Sequence, residues 1–170
     1  MPRLSADRRH PVTLNLNGRT VRGEAEPRMS LTDFLRHEIG ATGTHVGCEH
    51  GVCGACTVLI DGQTARACLA LAVQVDGSDV KTVEGLEEEP GRLGVIQEAF
   101  REHHGLQCGF CTPGFLMTLD ALFRERPDAD EDLIRETLSG HLCRCTGYAP
   151  IVRAALAARD WLRDGETDHA

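Results

Sequence analysis

Gly47-Cys48-Glu49-His50-Gly51-Val52-Cys53-Gly54-Ala55-Cys56 places three cysteines in a Cys-x4-Cys-x2-Cys run, with a glycine before, inside and after the first gap. Several thiolates from one short stretch can converge on a common centre only if the loop wraps tightly. Gly47, Gly51 and Gly54 permit backbone angles closed to other residues, and let amide N–H groups face inward. A fourth cysteine, Cys68, follows a short pattern of strand (Thr57-Val58-Leu59-Ile60), turn (Asp61-Gly62) and returning strand (Gln63 to Ala67). Cys68 therefore comes back to the loop at the end of a hairpin and closes the set.

The loop spacing is that of plant-type ferredoxins, whose four cysteines hold a [2Fe–2S] cluster, although the fourth cysteine there lies much further along the chain. Upstream, Val12, Leu14 and Leu16 alternate with polar residues, Asn17-Gly18 supplies a type I′ turn, and Arg19 to Gly23 returns. Ser30 reads as an N-cap with Asp33 three residues on. Leu31, Phe34, Leu35 and Ile39 share a helical face, and Gly40 ends that helix. Val80 to Val83 suits a last strand. A hairpin, a crossover helix and further strands make an α+β pattern of the β-grasp kind, over residues 10–84.

Residues 85–91 are charged and rich in helix breakers and read as a linker, with Glu87, Glu88 and Glu89 solvated. Beyond it β alternation stops. Apolar spacing predicts four helices in residues 92–164, a small four-helix bundle. They are carried by Leu93, Ile96, Gln97 and Phe100, then Pro113 to Arg126, then Asp130 to Ser139, then Pro150 to Arg163. The expected inward residues are Phe115, Leu116, Leu119, Leu122 and Phe123 on the second, Leu133, Ile134 and Leu138 on the third, and Ile151, Ala155, Ala158 and Leu162 on the fourth. Only the two ends, 1–10 and 165–170, read as disordered. Aromatics are 4% of the chain, so its core must rest on aliphatic side chains.

Cys108, Cys111, Cys143 and Cys145 form a second set, Cys-x2-Cys and Cys-x-Cys, separated by two predicted helices. Each pair precedes a helix start. Thr112 is placed to cap one helix with Pro113 behind it, and Pro150 opens the other. Helix N-termini favour an anionic group. From spacing alone the second set would also suit structural zinc, whose usual unit is the Cys-x2-Cys pair. Disulfides would need an oxidising compartment. A Rieske centre needs two histidine ligands, and only Cys48-Glu49-His50 offers half of that pattern. His45 and His50 read as loop residues, His103 and His104 as the end of a helix, and His141 has no evident partner.

A formal net charge of −8 argues against nucleic-acid binding, which needs a basic surface. No apolar run reaches membrane-span length. Arg8-Arg9 is followed by an alternating stretch rather than an apolar one, so no export signal is read and a cytoplasmic location is expected.

Gly47 to Cys56, Gln107-Cys108-Gly109-Phe110-Cys111-Thr112-Pro113-Gly114 and Leu142-Cys143-Arg144-Cys145-Thr146-Gly147-Tyr148 together resemble the iron–sulfur subunit of the xanthine oxidase family of molybdenum hydroxylases. The likeness is to separate small subunits, such as that of aerobic carbon monoxide dehydrogenase, and spans Val12 to Arg163. It implies two [2Fe–2S] clusters, one on Cys48, Cys53, Cys56 and Cys68 facing a flavin, the other on Cys108, Cys111, Cys143 and Cys145 facing molybdenum. Gln107 matches a family glutamine near the molybdenum site, and Cys145 the ligand nearest the pterin. The resemblance also implies a large molybdopterin-binding subunit, a medium FAD-binding subunit, and a dimer of heterotrimers. Electrons from a hydroxylation, or from CO oxidation, would pass through this chain, which makes no bonds itself. A free two-cluster ferredoxin is the alternative, and a zinc-stabilised interaction module a more distant one.

Overall fold

The computed structural model describes residues 4–165. The outermost residues of both ends read as disordered, 1–3 and 166–170, lie outside that range. The N-terminal end is shorter than expected, because His10 already pairs with Ala25 as the first residue of strand β1 (His10–Leu16). Its ring is buried and donates from Nε2 to the Ser5 carbonyl at 2.8 Å.

Strand β1 pairs antiparallel with β2 (Arg19–Ala25). Asn17 and Gly18 both take positive φ, 50° and 81°, as a type I′ turn requires. The next helix, α1, opens with one α turn at Leu31–Asp33 and widens to π geometry over Phe34–Ile39. Ser30 Oγ accepts the Asp33 N–H at 3.1 Å, and Gly40 ends the helix at φ 82°. Leu31, Phe34 and Leu35 are completely buried, and Ile39, at the end of the wider π turn, packs half-buried against the same core.

Strands β3 (Thr57–Ile60) and β4 (Gln63–Arg66) form the second hairpin, and β5 (Asp79–Lys81) completes the sheet. The order is β2-β1-β5-β3-β4, with β1 and β5 parallel and the other pairs antiparallel. Strand β5 is displaced from the expected 80–83, because Val83–Leu86 forms a 3-10 turn instead. Val12, Leu14, Phe34, Leu35, Val58 and Val80 meet in one core. Each such side chain contributes about 1.5–3 kcal/mol of burial.

The second core belongs to four helices: α2 (Val95–Glu102), α3 (Thr112–Glu125), α4 (Glu131–Leu138) and α5 (Ala149–Asp164). Phe100, Phe115, Leu119, Ile134, Ile151 and Ala155 are fully or almost fully buried there. Three expectations shift. Leu93 lies before α2 and is exposed, so it does not help to carry that helix. Leu162 is 45% exposed rather than inward, and α3 is buried on both sides, Met117 and Thr118 included, because it lies between the sheet and the other helices. The join is also tighter than a free linker. Val83 and Leu86 pack on the helical core, and the Glu84 carboxylate accepts the Gly43 N–H at 2.7 Å. Glu87, Glu88 and Glu89 are exposed as expected.

Candidate cluster-binding sites

The eight cysteines are free thiols, and they gather as two sets of neighbours. In the first loop, Glu49, Gly51 and Gly54 have positive φ of 59°, 82° and 76°, which curls the chain so that amides face the Cys48 sulfur. The Cys53 N–H donates to Cys48 Sγ at 3.4 Å. That amide, with the amide of His50, draws the Cys48 thiol down to about 6. Cys56 is the buried member, and its burial pushes the thiol up to about 11, beside Cys68 and Cys53. Cys68 reaches it because the Ala67 N–H bonds the Cys56 carbonyl at 3.1 Å at the base of the β3–β4 hairpin.

The second set is shallower. Cys108 and Cys145 are exposed, with their sulfurs 3.5 Å apart. That is far beyond the ~2.05 Å of a disulfide. The Phe110 amide lowers the Cys108 thiol, whereas Cys145 is raised by its contact with Cys108. Burial pushes Cys111 up to about 12, with Cys143 as its neighbour. Burial also raises Cys143, but the Thr146 hydroxyl and nearby amides outweigh it and the net direction is down. Cys111, not Thr112, occupies the N-cap of α3; Thr112 is already helical, so its hydroxyl caps nothing. Tyr148, at φ 68°, precedes α5 and turns its hydroxyl back to accept the Cys143 N–H at 3.0 Å.

Among the described residues no three Cys, His, Asp or Glu side chains converge tightly enough for a single metal ion. What the chain offers is two looser four-sulfur sets, each with amide donors. Such donors suit an anionic iron–sulfur group, and its ligands must give up their protons on binding. Gln107 is exposed beside Cys108.

Several residues that join the two sets carry no sequence signal. The Leu142 N–H donates to the Cys53 carbonyl at 3.0 Å, linking the first loop to the residue before Cys143. His45 stacks on Phe110, with ring centroids 5.0 Å apart, and donates from Nδ1 to the Phe110 carbonyl at 2.8 Å. His141, for which no partner was evident, is buried against Phe115 with Nε2 between Thr118 and Thr57. Burial, then the charge of Arg66, holds the His141 ring at about 4, so it is neutral at pH 7. Their contacts are with residues far away in sequence, which no local pattern announces.

Exposed apolar side chains flank both sets: Val52 and Leu69 near the first, Leu106, Phe110, Leu142 and Tyr148 near the second. Among the described residues no helix is long and apolar enough to cross a membrane.

Residues 14–86 match the family described as "2Fe-2S iron-sulfur cluster binding domain", and residues 82–156 match "[2Fe-2S] binding domain". The chain is 54% identical over 148 residues to caffeine dehydrogenase subunit gamma of Pseudomonas sp. (strain CBB1), covering 85% of this chain and 88% of that one. It is 46% identical over 155 residues to a probable xanthine dehydrogenase subunit from Bacillus subtilis (strain 168), covering 91% and 88%. A chain of quinoline 2-oxidoreductase from Pseudomonas putida 86 superposes with a TM-score of 0.88 at 48% identity, over 93% of this chain and 98% of that one. Two cluster-binding families in tandem remove the zinc alternative for the second set. With relatives this similar over nearly their whole length, the chain belongs to the iron–sulfur small subunits of the xanthine oxidase family of molybdenum hydroxylases, electron-transfer subunits of oxidoreductase complexes that do not carry the catalytic centre.

Proposed function

We propose that Cys48, Cys53, Cys56 and Cys68 hold one [2Fe–2S] cluster and Cys108, Cys111, Cys143 and Cys145 the other, and that the chain relays electrons from a large molybdopterin-bearing subunit toward FAD on a medium subunit. The observation that carries this reading is the arrangement of the eight free thiols as two four-sulfur sets, bridged by the hydrogen bond from Leu142 to Cys53. When bound, the two clusters supply one-electron carriers that accept and release electrons singly. The chain's part is to hold them. Amides of the 49–53 stretch face the first set, and the N-cap position of α3 and the Tyr148 hydroxyl fix the backbone of the second.

Exposure supports the order of the relay. Cys108, Cys145 and Gln107 lie open among Leu106, Phe110, Leu142 and Tyr148, an apolar rim that a large subunit would cover. On this reading Gln107 is near the molybdenum cofactor. Val52 and Leu69 mark a smaller patch for the flavin subunit. Those patches favour a fixed complex over a free ferredoxin. The sheet order supports a β-grasp assignment for residues 10–84, and the four helices support a bundle for 92–164 joined by 85–91. Eight cysteines given to cluster ligation rather than to disulfides suit a reducing, cytoplasmic setting. Relatives named for caffeine, xanthine and quinoline make nitrogen heterocycles the first substrates to assay.

Metal analysis of the chain, purified gently with whatever it binds, tests this. About four irons per chain is expected for two such clusters, with molybdenum near one per chain in the complex. Four irons without molybdenum in a stable monomer would move the free ferredoxin to first place.

A further inference from the structure

The 48–56 loop and the 140–143 segment meet across a group of polar side chains that neither apolar core requires. His141 is 3% exposed. Its Nε2 stands 3.0 Å from Thr118 Oγ1 on α3 and 3.3 Å from Thr57 Oγ1 at the start of β3. Arg66, the last residue of β4, directs its guanidinium to the Thr57 hydroxyl, to the Gly140 carbonyl at 2.9 Å and to the Gly51 carbonyl at 3.4 Å. The Thr57 hydroxyl gives its one proton to the Gly54 carbonyl at 2.6 Å, so its lone pairs are free to receive Arg66.

Contact here leaves no slack. A Cβ on Gly54 would come within 2.5 Å of His141 Cδ2 and 3.0 Å of the Gly140 carbonyl. Beside these groups runs the hydrogen bond from the Leu142 N–H to the Cys53 carbonyl. Apolar surfaces can slide on one another, whereas a buried polar network with directional bonds specifies one arrangement. Transfer between two fixed redox centres falls steeply with their separation, so the groups that fix it bear on function.

We propose that Arg66 and His141 are positioning residues, a polar clasp that seats the first cysteine loop on the segment leading to Cys143 and so sets the spacing of the two cluster sites. The proposal rests on the ligand assignment given under Proposed function.

Its test uses the full chain purified with its partner subunits. His141→Leu removes both ring nitrogens, and His141→Gln restores a polar group that can reach the hydroxyls. Thr118→Val keeps the shape of that side chain and removes one partner of the ring, should His141→Leu fail to fold. Arg66→Met keeps the stem without the charge. Each is read by iron per chain, by EPR of the two reduced clusters including the splitting each imposes on the other, and by the rate of electron exchange between them after flash reduction. The clasp predicts full iron, two cluster signals, a smaller splitting and an exchange rate lowered by about tenfold in Thr118→Val and Arg66→Met, with His141→Gln close to wild type. Native splitting and native exchange in Thr118→Val and Arg66→Met, at full iron, would overturn it. A wild-type complex with fewer than two cluster signals would instead overturn the ligand assignment beneath it.

Discussion

A Cβ on Gly114 would lie 2.2 Å from the carbonyl oxygen of Gly54, so the first turn of α3 rests directly on the backbone of the first cysteine loop. Alanine at position 114 is therefore expected to lower stability by about 1–3 kcal/mol through overpacking. Elsewhere in a helix the same change would add up to about 1 kcal/mol. The sign is thus diagnostic, and urea unfolding of Gly114→Ala reads it. A midpoint at or above wild type would mean that the loop yields freely.

Cys56→Ser and Cys111→Ser separate the two sets. Each variant is expected to keep about two irons instead of about four and to lose one EPR signal while retaining the other. Cys56→Ser would stop reduction of the flavin, and Cys111→Ser would stop electrons leaving molybdenum. Loss of both signals from either variant, with the chain still folded, would contradict two independent sites.

Strand β5 and helix α3 are joined by an ion pair, Lys81 to Asp120 at 3.1 Å, with Arg124 also on Asp120 at 3.2 Å. Asp120 is only 13% exposed, so truncating it leaves a half-buried ammonium without its partner. Asp120→Ala is expected to cost about 1–3 kcal/mol. Adding Lys81→Met should recover part of that loss, which a double-mutant cycle of unfolding free energies would measure. Strict additivity of the two changes would show that the pair contributes nothing.

The apolar rim around Cys108 and Cys145 predicts where a partner docks. Leu106→Glu and Leu142→Glu place charge on that rim, and the second keeps the backbone N–H that bonds Cys53. Each should weaken association with the large subunit by roughly tenfold or more while leaving about four irons in the isolated chain. Co-purification and a titration of subunit binding would decide. Undiminished binding in the double variant would place the contact elsewhere.

Much of this molecule is legible in its sequence because the signals are local. Asn17-Gly18 announced the first hairpin through turn chemistry, and Ser30 announced the start of α1 through its cap. The two cysteine spacings marked the two sets of thiols that the fold brings together. The π widening of α1 was hidden because Leu31, Phe34 and Leu35 fit an ordinary helix face until the turn expands. Thr118 was passed over because a period of 3.6 marks one apolar stripe, whereas α3 is covered on both sides. His141, Arg66 and Thr57 are far apart in the chain, and only the docking of sheet on helices makes them neighbours. Val83 read as the end of a strand and Leu86 as part of a linker, because their partners come from helices further on.

The bond between Leu142 and Cys53 also has a consequence for biogenesis. A ribosome that has just made Cys56 must add nearly ninety more residues before Leu142 and Cys143 exist. At bacterial or eukaryotic elongation speeds that is on the order of 4–17 s. Once β5 has been made the sheet can close around its own core, yet the loop bearing Cys48, Cys53 and Cys56 still lacks the segment that seats it. The nascent chain therefore presents its first thiols unsecured, and their maturation is best timed after release, when both halves have met.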